Sequence, residues 1–458
     1  MTRDNIAAIV SAASHIHFIG VGGISMASLA KILASNGKTI SGSDRNDAEK
    51  LTLEACGIRF FTGHSAENIK GADLVVYTAA VSADNSELME AKEQNIPTIN
   101  RAKRLGEIMR DYAVSVAVSG MHGKTTASAM TAFVLMECGL DPTALIGGNI
   151  PDIGGAMRIG GKKHMVLEAC EYTDSFLNFY PHFAAILNVE EDHLDYFRDL
   201  DHIKDSFHRF TQNVDKDGTI VVCADNENAV EITQNCNRHV ITYGIDGDAD
   251  ITAEILSVNS HGCHTFQIYE KGALCAKASL NIPGKYNVYN ALAAYSLARL
   301  CGAEPADIAK ALSSFHGAGR RFQYMGSVNG ADIYDDYAHH PTEISALLSA
   351  VKSMEHRRII CIFQPHTYTR TLSLLPKFAE ALAEADVAVI ADIFAAREAD
   401  VYGISSADLA ALIPGAVNIH GDDRIAEYVK NIAEKGDIIL TVGAGNVNKI
   451  SKLLVDNN

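Results

Sequence analysis

The sequence predicts an α/β protein built from three domains, and three observations carry that prediction. Its 458 residues exceed what one hydrophobic core usually serves. Short apolar segments alternate with helix-favouring segments along the whole chain. Two of the apolar segments run directly into glycine-rich turns that precede a helix. The pattern indicates Rossmann-like domains at residues 1–112 and 319–458, and between them, at residues 113–318, a P-loop ATPase-type domain whose mostly parallel sheet carries an added β region.

The composition is typical of a globular protein in a reducing compartment. Nine cysteines are scattered without a CxxC pair, which indicates neither disulfides nor a zinc site. No apolar run approaches the ~20 residues of a membrane span and no cleavable signal precedes the first strand, so we expect a cytoplasmic protein without a membrane partner. A net charge of −17 argues against nucleic acid as a partner. Positive charge for anionic ligands must therefore be concentrated locally.

The first domain is predicted from a strand at residues 15–19 and the glycine turn that follows it. Gly22 and Gly23 can present backbone N–H groups to a phosphate, and Asp44 follows the next strand. A dinucleotide-binding turn would have glycine at position 25, where this chain has Ser25. We therefore favour the phosphates of another nucleotide, while a nicotinamide site and a turn without a ligand stay open. Further strands of this domain are predicted at residues 38–41 and 72–77.

The second domain begins with a strand at residues 113–119, followed by a phosphate-binding loop. Gly120 and Gly123 expose backbone N–H groups, Lys124 can reach the β- and γ-phosphates of ATP, and the Thr125 hydroxyl can ligate Mg²⁺. The standard pattern has a glycine where this chain has Val118, so a coincidental glycine turn is the alternative. The loop predicts ATP binding.

Acidic residues and a histidine follow two later strands of this domain, predicted at residues 164–169 and 184–189. Glu168 and Glu171 follow the first strand, and Asp192 and His193 follow the second. In open α/β sheets, ligands gather at such strand ends. An added β region is predicted at residues 250–281, and a helix at 286–301 carries Asn287 and Asn290 on one face.

The third domain is predicted to start near Arg320 and to be doubly wound. Strands and helices alternate through it to a closing strand that precedes Gly443 and Gly445. The predicted strands are residues 332–337, 358–363, 387–392 and 437–442, and the predicted helices begin at residues 341, 371 and 406.

Several motifs, in this order, make the sequence similar to the Mur ligase family, the ATP-dependent amide-forming enzymes of bacterial cell-wall synthesis. The resemblance implies a UDP-sugar domain, a central ATPase and a C-terminal domain that closes over the site. It implies UDP-N-acetylmuramate, L-alanine and ATP with Mg²⁺ as ligands, and an acyl-phosphate intermediate. The motifs are HFIGVGGISM, SGMHGKTT, LEACEYTDSFLNFYP, LNVEEDHLDYF, PGKYNVYNALAA, GAGRRFQ, DDYAHHPTEI, FQPHTYTRT and LTVGAG.

The resemblance also implies roles for individual residues. The expected ATP-binding residues are Gly120, Met121, His122, Gly123, Lys124, Thr125, Thr126, Asn287, Asn290 and Asp336. The expected metal-associated residues are Thr125, Glu171 and His193. The expected UDP-sugar residues are Gly22, Gly23, Ser43, Asp44, Thr78, Ala79 and Ala80. The expected amino-acid-binding residues are Tyr337, His339, His366 and Arg370. The expected catalytic residues are Lys124, His122, Glu171, His193, Arg320 and Arg321.

Other interpretations of these residues stay open at this point. Glu171 could be a solvated loop acid, the paired arginines a solvated linker, and the His339–His340 pair a helix cap. Thr367 occupies a place where some relatives carry a second arginine, so strictness for L-alanine is not fixed. Alternative functions are a related ligase that adds a peptide or another amino acid, a nicotinamide-dependent oxidoreductase, and a silent UDP-sugar sensor. The sequence leaves open a homodimer, the choice between Mg²⁺ and Mn²⁺, and a lysine carbamate.

Overall fold

The computed structural model describes residues 3–78, 81–194, 196–396 and 398–455, and these form three sheets that are packed with helices. The predicted α/β class with three units is confirmed. The predicted boundaries near residues 112 and 318 stay a prediction. Within the described residues, no helix is long and apolar enough to cross a membrane.

The first unit is a five-stranded parallel sheet with β1 at its centre, in the order β3-β2-β1-β4-β5. A helix that the sequence analysis did not predict precedes β1, and its Val10 side chain is buried in the core of this unit. The elements are α1 Arg3–Ala12, β1 His15–Ile19, α2 Ile24–Ser35, β2 Thr39–Asp44, α3 Lys50–Ala55, β3 Arg59–Thr62, β4 Leu74–Tyr77, α4 Ser86–Glu93, β5 Thr98–Asn100 and α5 Arg101–Met109.

The second unit is a ten-stranded sheet in the order β15-β14-β13-β12-β11-β10-β6-β9-β7-β8. Strand β6 runs parallel to β10 and β9, and an antiparallel β13–β15 meander forms the added β region. The elements are β6 Val114–Ser119, α6 Lys124–Glu137, β7 Thr143–Leu145, β8 Met157–Arg158, β9 His164–Glu168, β10 Phe183–Ile186, α7 Leu200–Asn213, β11 Thr219–Cys223, α8 Glu227–Glu231, β12 His239–Gly244, β13 Ile251–Val258, β14 Cys263–Glu270, β15 Ala273–Pro283, α9 Lys285–Leu300 and α10 Pro305–Leu312.

The third unit is a six-stranded sheet in the order β16-β17-β21-β18-β19-β20. Its strands pair in parallel except for β16 and β17. Along β18, Cys361 and Phe363 pack in one core cluster and Ile360 and Ile362 in another, because successive side chains of a strand point to opposite faces. The elements are β16 Gln323–Val328, β17 Ala331–Asp336, α11 Pro341–Lys352, β18 Ile359–Phe363, α12 Tyr368–Ser373, α13 Leu375–Leu382, β19 Val387–Ile390, α14 Ser406–Ala410, β20 Val417–Asn418, α15 Asp422–Ile432, β21 Ile438–Val442 and α16 Asn448–Leu454.

The helix predicted from residue 371 is in fact two helices. Helix α12 begins three residues earlier because the Thr367 hydroxyl accepts a hydrogen bond from the Arg370 N–H and caps its first turn. Helix α13 begins after Leu374, with a proline in its first turn. The break places Arg370 on a short helix at the edge of the unit.

Candidate active site

In the loop between β6 and α6, Gly123 has a backbone conformation that only glycine adopts readily. This residue has φ 82° and caps α6, and a Cβ there would lie 2.6 Å from Oδ1 of Asn290. Asn290 in turn donates to Oδ1 of Asn287 at 3.0 Å, and Asn287 donates to the Pro283 carbonyl at 2.7 Å. The two asparagines are therefore buried supports of the loop and not solvated residues on a helix surface.

Lys124 begins α6 and turns its ammonium group back over the loop. The Nζ atom donates to the carbonyls of Gly120 at 2.6 Å and Met121 at 2.9 Å, and it lies 2.8 Å from Oε2 of Glu171. Burial opposes ionisation of Glu171, but Lys124 and His193 together outweigh it and hold the pKa of Glu171 below its ordinary value. Burial likewise opposes the Lys124 charge, and Glu171 still raises its pKa. Both groups therefore carry their charges inside the site.

His193 joins this pair to the third unit. Its Nε2 atom lies 3.4 Å from Oε1 of Glu171, and its Nδ1 atom lies 3.3 Å from Nη2 of Arg370. The same Arg370 nitrogen donates to Oδ1 of Asp192 at 3.1 Å, and Nη1 lies 3.4 Å from Nδ1 of His366. The structure thus brings Lys124, Glu171 and His193 into one cleft and sets the predicted amino-acid residues His366 and Arg370 at its edge.

The predicted metal-associated residues lie around the same loop. The Thr125 hydroxyl donates to Oε2 of Glu168 at 3.0 Å, and Glu168 also accepts from the Gly147 N–H at 2.8 Å. In the described part of the chain, no three His, Cys, Asp or Glu side chains form a group that could hold a metal ion alone. Oε2 of Glu171 is buried, and among the described residues its close polar partner is the Lys124 ammonium, 2.8 Å away. These residues fit a hard dication that takes most of its ligands from water and phosphate oxygens.

A cavity of about 350 Å³ lies between the second and third units beside the loop. Its polar lining includes predicted ATP-binding residues from both units, and its wall includes the aromatic rings of Tyr243, Tyr286 and Tyr289. A site that combines polar groups at one end with aromatic rings suits a nucleotide. The predicted residues that line it are His122, Gly123, Thr126, Asn287, Asn290, Arg321 and Asp336.

His122 links the phosphate loop directly to the third unit. Its backbone N–H donates to Oδ1 of Asn188 at 2.8 Å, and its Nδ1 atom lies 3.2 Å from Oε1 of Glu343 on α11. Burial would lower the pKa of His122, but the carboxylates of Glu343, Glu190 and Asp192 together outweigh it and raise that pKa. Glu343 was not among the predicted residues, although an acid in the first turn of a helix that follows His339 and His340 is a signal that could have pointed to it.

The two neighbouring arginines, predicted to act together, differ in their surroundings. Arg320 donates from Nε to Asp335 at 2.9 Å, and from Nη2 and Nη1 to the carbonyls of Gly443 at 2.6 Å and Gly445 at 3.0 Å. Its guanidinium therefore braces the third unit internally. Arg321 lines the cavity, with Nη1 3.9 Å from Oε1 of Glu343. Only Arg321 is placed to meet a ligand there.

The segment after β17 contains three more predicted residues and shows which histidine is the cap. Asp336 accepts hydrogen bonds from the N–H groups of Phe322 and Ala338, both at 2.7 Å, and burial raises its pKa to about 6. The guanidinium groups of Arg320 and Arg321 lie over the Tyr337 ring. His340 is buried and caps α11, whereas the partly exposed His339 lies in the cleft, where loss of hydration lowers its pKa to about 3.

Three of the predicted UDP-sugar residues line a second cavity, of about 700 Å³, at the carboxyl ends of β1, β2 and β4. Gly23, Asp44 and Thr78 line it, and the Gly22 N–H donates to Oδ2 of Asp44 at 2.9 Å. Ser43 points elsewhere: its hydroxyl is buried and donates to Glu87 at 2.6 Å. The predicted residues Ala79 and Ala80 lie outside the described residues.

Comparison with known sequences places the whole chain in one family. The domains described as "Mur ligase family, catalytic domain", "Mur ligase middle domain" and "Mur ligase, glutamate ligase domain" match residues 15–113, 118–298 and 320–445. UDP-N-acetylmuramate–L-alanine ligase of Caldanaerobacter subterraneus subsp. tengcongensis is 46% identical over 448 residues, 97% of each chain. The relative of the same name from Clostridium perfringens is 43% identical over 96% of this chain and 97% of its own.

Comparison with solved structures agrees. UDP-N-acetylmuramate–alanine ligase from Thermotoga maritima matches with a TM-score of 0.79 and 30% identity, over 96% of this chain and 98% of that chain. A murein peptide ligase from Psychrobacter arcticus matches with a TM-score of 0.70 and 25% identity, over 96% and 98% of the two chains. With the phosphate loop and the interdomain cleft in place, these matches show that the chain belongs to the Mur ligase family.

Proposed function

We propose that this chain joins L-alanine to the carboxylate of UDP-N-acetylmuramate and converts ATP to ADP and phosphate. The observation that carries the proposal is the continuous line of contacts from Lys124 through Glu171 and His193 to Arg370. This line joins a phosphate loop of the second unit to the third unit across a single cleft. The full-length relatives named for this activity support the choice of substrates.

The reaction proceeds in two displacements. A muramoyl carboxylate oxygen attacks the γ-phosphorus of ATP, the bond to the bridging oxygen breaks, and ADP leaves. The deprotonated amine of L-alanine then attacks the acyl carbon, and phosphate leaves with the carboxylate oxygen that had attacked ATP. The first step brings two anions together, so positioning and charge neutralisation carry most of the catalysis.

Each part of the cleft has a role in that sequence. Lys124 binds the β- and γ-phosphates, Arg321 meets the transferring phosphoryl group from the third unit, and His122 faces the muramoyl carboxylate. Thr125, Glu171 and His193 would hold Mg²⁺, which supplies positive charge next to the phosphate oxygens. Arg370 suits the carboxylate of the amino acid because a guanidinium fork can bind it through two hydrogen bonds. Tyr337, His339 and His366 complete the amino-acid site.

An assay in which the amino acid substrate is varied tests the proposal. Purified protein is given UDP-N-acetylmuramate, ATP and Mg²⁺, and phosphate release is followed with L-alanine, glycine, other single amino acids or a tripeptide. We expect release that depends on L-alanine. Phosphate release that is supported by the tripeptide but not by L-alanine would favour the second candidate, a peptide-adding ligase. The similarity to the murein peptide ligase is the observation in favour of that candidate.

Two functions of other classes have less support. A nicotinamide-dependent oxidoreductase would use the glycine turn of the first unit, but Ser25 stands where its third glycine belongs and Lys124 would then have no role. A silent UDP-sugar sensor has no use for the buried Lys124–Glu171 charge pair, since burying two charges is costly. Titration with NAD(H) and the turnover assay separate both from the ligase.

A further inference from the structure

Arg101 lines the cavity of the first unit, and no predicted role covers it. It is the first residue of α5, and its side chain lines the cavity of the first unit together with Gly23, Asp44 and Thr78. The side chain is only partly exposed. Arg101 is thus a partly exposed cation on the wall of the cavity that we assign to the UDP-sugar.

Within the part of the chain that the structure describes, the Arg101 guanidinium makes no hydrogen bond or ion pair. Burial lowers its pKa, and the Glu168 carboxylate partly opposes that effect. Glu168 ends β9 and accepts a hydrogen bond from the Thr125 hydroxyl, so the carboxylate that acts on Arg101 also contacts the residue after Lys124. An unpaired, desolvated guanidinium is costly unless a ligand anion meets it.

Helix α5 holds Arg101 rigidly relative to the second unit. A Cβ at Gly106 would lie 1.9 Å from the carbonyl oxygen of Asn178, so the helix touches the backbone of that segment directly. Asn178 ends the 3₁₀ helix Tyr172–Asn178, which begins immediately after Glu171. The start of α5 is further fixed by Asn100, whose side chain accepts from the Lys103 N–H at 2.9 Å. The arginine therefore lies on a helix that contacts both the first and the second unit.

We infer that Arg101 binds an anionic oxygen of the UDP-sugar and positions that substrate between the first cavity and the phosphate loop. The inference rests on the proposed function, which supplies a substrate with a diphosphate and a carboxylate. In a protein with a net charge of −17, an unpaired cation on this wall favours such a ligand. Either the diphosphate or the muramoyl carboxylate presents the required oxygen.

Calorimetric titration of the full chain tests this inference with three ligands: UDP, UDP-N-acetylglucosamine and UDP-N-acetylmuramate. We expect Arg101→Met to weaken UDP-N-acetylmuramate binding about tenfold or more, as loss of a charge-assisted contact usually does. Arg101→Lys should fall between Arg101→Met and the unaltered chain. Weaker binding of all three ligands identifies a phosphate oxygen, and weaker binding of the muramate alone identifies the carboxylate.

The controls separate this inference from a folding defect and from the proposed function. Lys103→Met removes an exposed cation two residues along the same helix and should leave all three affinities within about twofold. Affinity for an ATP analogue should stay unchanged in every variant. If Arg101→Met and Arg101→Lys both bind all three ligands as the unaltered chain does, the inference is wrong. If the unaltered chain itself does not bind UDP-N-acetylmuramate, the proposed function fails instead.

Discussion

The ammonium of Lys124 lies 2.8 Å from Oε2 of Glu171, a carboxylate with no solvent exposure. Each charge keeps the other ionised in a site where burial disfavours both, so the cleft holds a permanent cation next to a permanent anion. Phosphoryl transfer from ATP needs the cation at the phosphates and the anion as a contact for the dication. The geometry leads to predictions that separate these two functions.

Replacing Lys124 tests its role at the phosphates. We expect Lys124→Ala to lower kcat by about three orders of magnitude or more, since the loss of a cation at the transferring group is felt mainly in the transition state. Binding of the UDP-sugar should be retained because its cavity belongs to the first unit. Phosphate release and calorimetry measure the two properties. Turnover within about tenfold of the unaltered chain would contradict the assigned role.

Chelation of divalent cations and substitution of Glu171 test the metal site. Removal of Mg²⁺ should stop phosphate release, and its return should restore it. Glu171→Gln should need about tenfold more Mg²⁺ for half-maximal activity, because a neutral amide is a weaker ligand for a hard dication. Asp201→Asn, which removes an exposed carboxylate on α7, is the matched control and should leave the Mg²⁺ requirement unchanged. If Glu171→Gln needs no more Mg²⁺ for half-maximal activity than the control does, Glu171 does not belong to the metal site.

The adjacent arginines give a paired test. Arg320→Ala strands the buried Asp335 carboxylate and should lower the free energy of unfolding by about 3 kcal/mol, while turnover below its melting temperature stays within about tenfold. Arg321→Ala should change the free energy of unfolding by about 1 kcal/mol or less and lower kcat about 100-fold or more. Thermal unfolding measures the effect on stability, and phosphate release measures the effect on kcat. If Arg320→Ala instead mainly lowers kcat and Arg321→Ala mainly lowers the free energy of unfolding, Arg320 is the arginine that contacts the ligand.

The contact between His122 and Glu343 predicts a pH-dependent domain arrangement in the ligand-free protein. Because Glu343, with Glu190 and Asp192, raises the pKa of His122 above 6.5, the contribution of His122 is complete below about pH 6.5 and is lost as the pH rises through the raised value. The pKa of Glu343 is held well below 4.5, so its contribution is lost only in acid. We expect the radius of gyration from X-ray scattering to increase between about pH 6 and pH 9.

Substitution of either partner shows whether that contact is the cause. His122→Gln and Glu343→Gln should each reduce the pH dependence of the radius of gyration, since neither amide titrates. The neighbouring Glu190 and His340 also face His122, with Nε2 of His122 3.7 Å from Glu190 and the two histidine rings 4.8 Å apart. A pH dependence that persists unchanged in both variants would assign the effect to those groups.

Local features of the sequence predicted most of the fold and the centre of the site. The phosphate loop could be identified because its glycines, Lys124 and Thr125 are consecutive. Glu171 and His193 could be identified because they follow strands that end at the same edge of the sheet. Parallel pairing of β9 and β10 with β6 brings both segments to one edge of the sheet, where the two side chains lie 3.4 Å apart.

Other features depend on contacts between distant segments and could not be predicted in this way. Arg320 and Arg321 look equivalent in sequence, yet the positive φ of 60° at Arg320 and the Gly443 and Gly445 carbonyls draw one side chain inward. Ser43, on β2, looks like a ligand contact in sequence, but its hydroxyl donates a hydrogen bond to Glu87 on α4. Glu343 joins the site only because the third unit packs over His122.

The origin of one oxygen atom in the released phosphate tests the central proposal most directly. UDP-N-acetylmuramate with a heavy oxygen isotope in its carboxylate is incubated with the protein, ATP, Mg²⁺ and L-alanine, and the phosphate is analysed by mass spectrometry. Transfer through an acyl phosphate predicts that the phosphate carries one oxygen from the labelled carboxylate. Phosphate that contains no label, formed together with the amide product, would contradict activation of the carboxylate by ATP at this cleft.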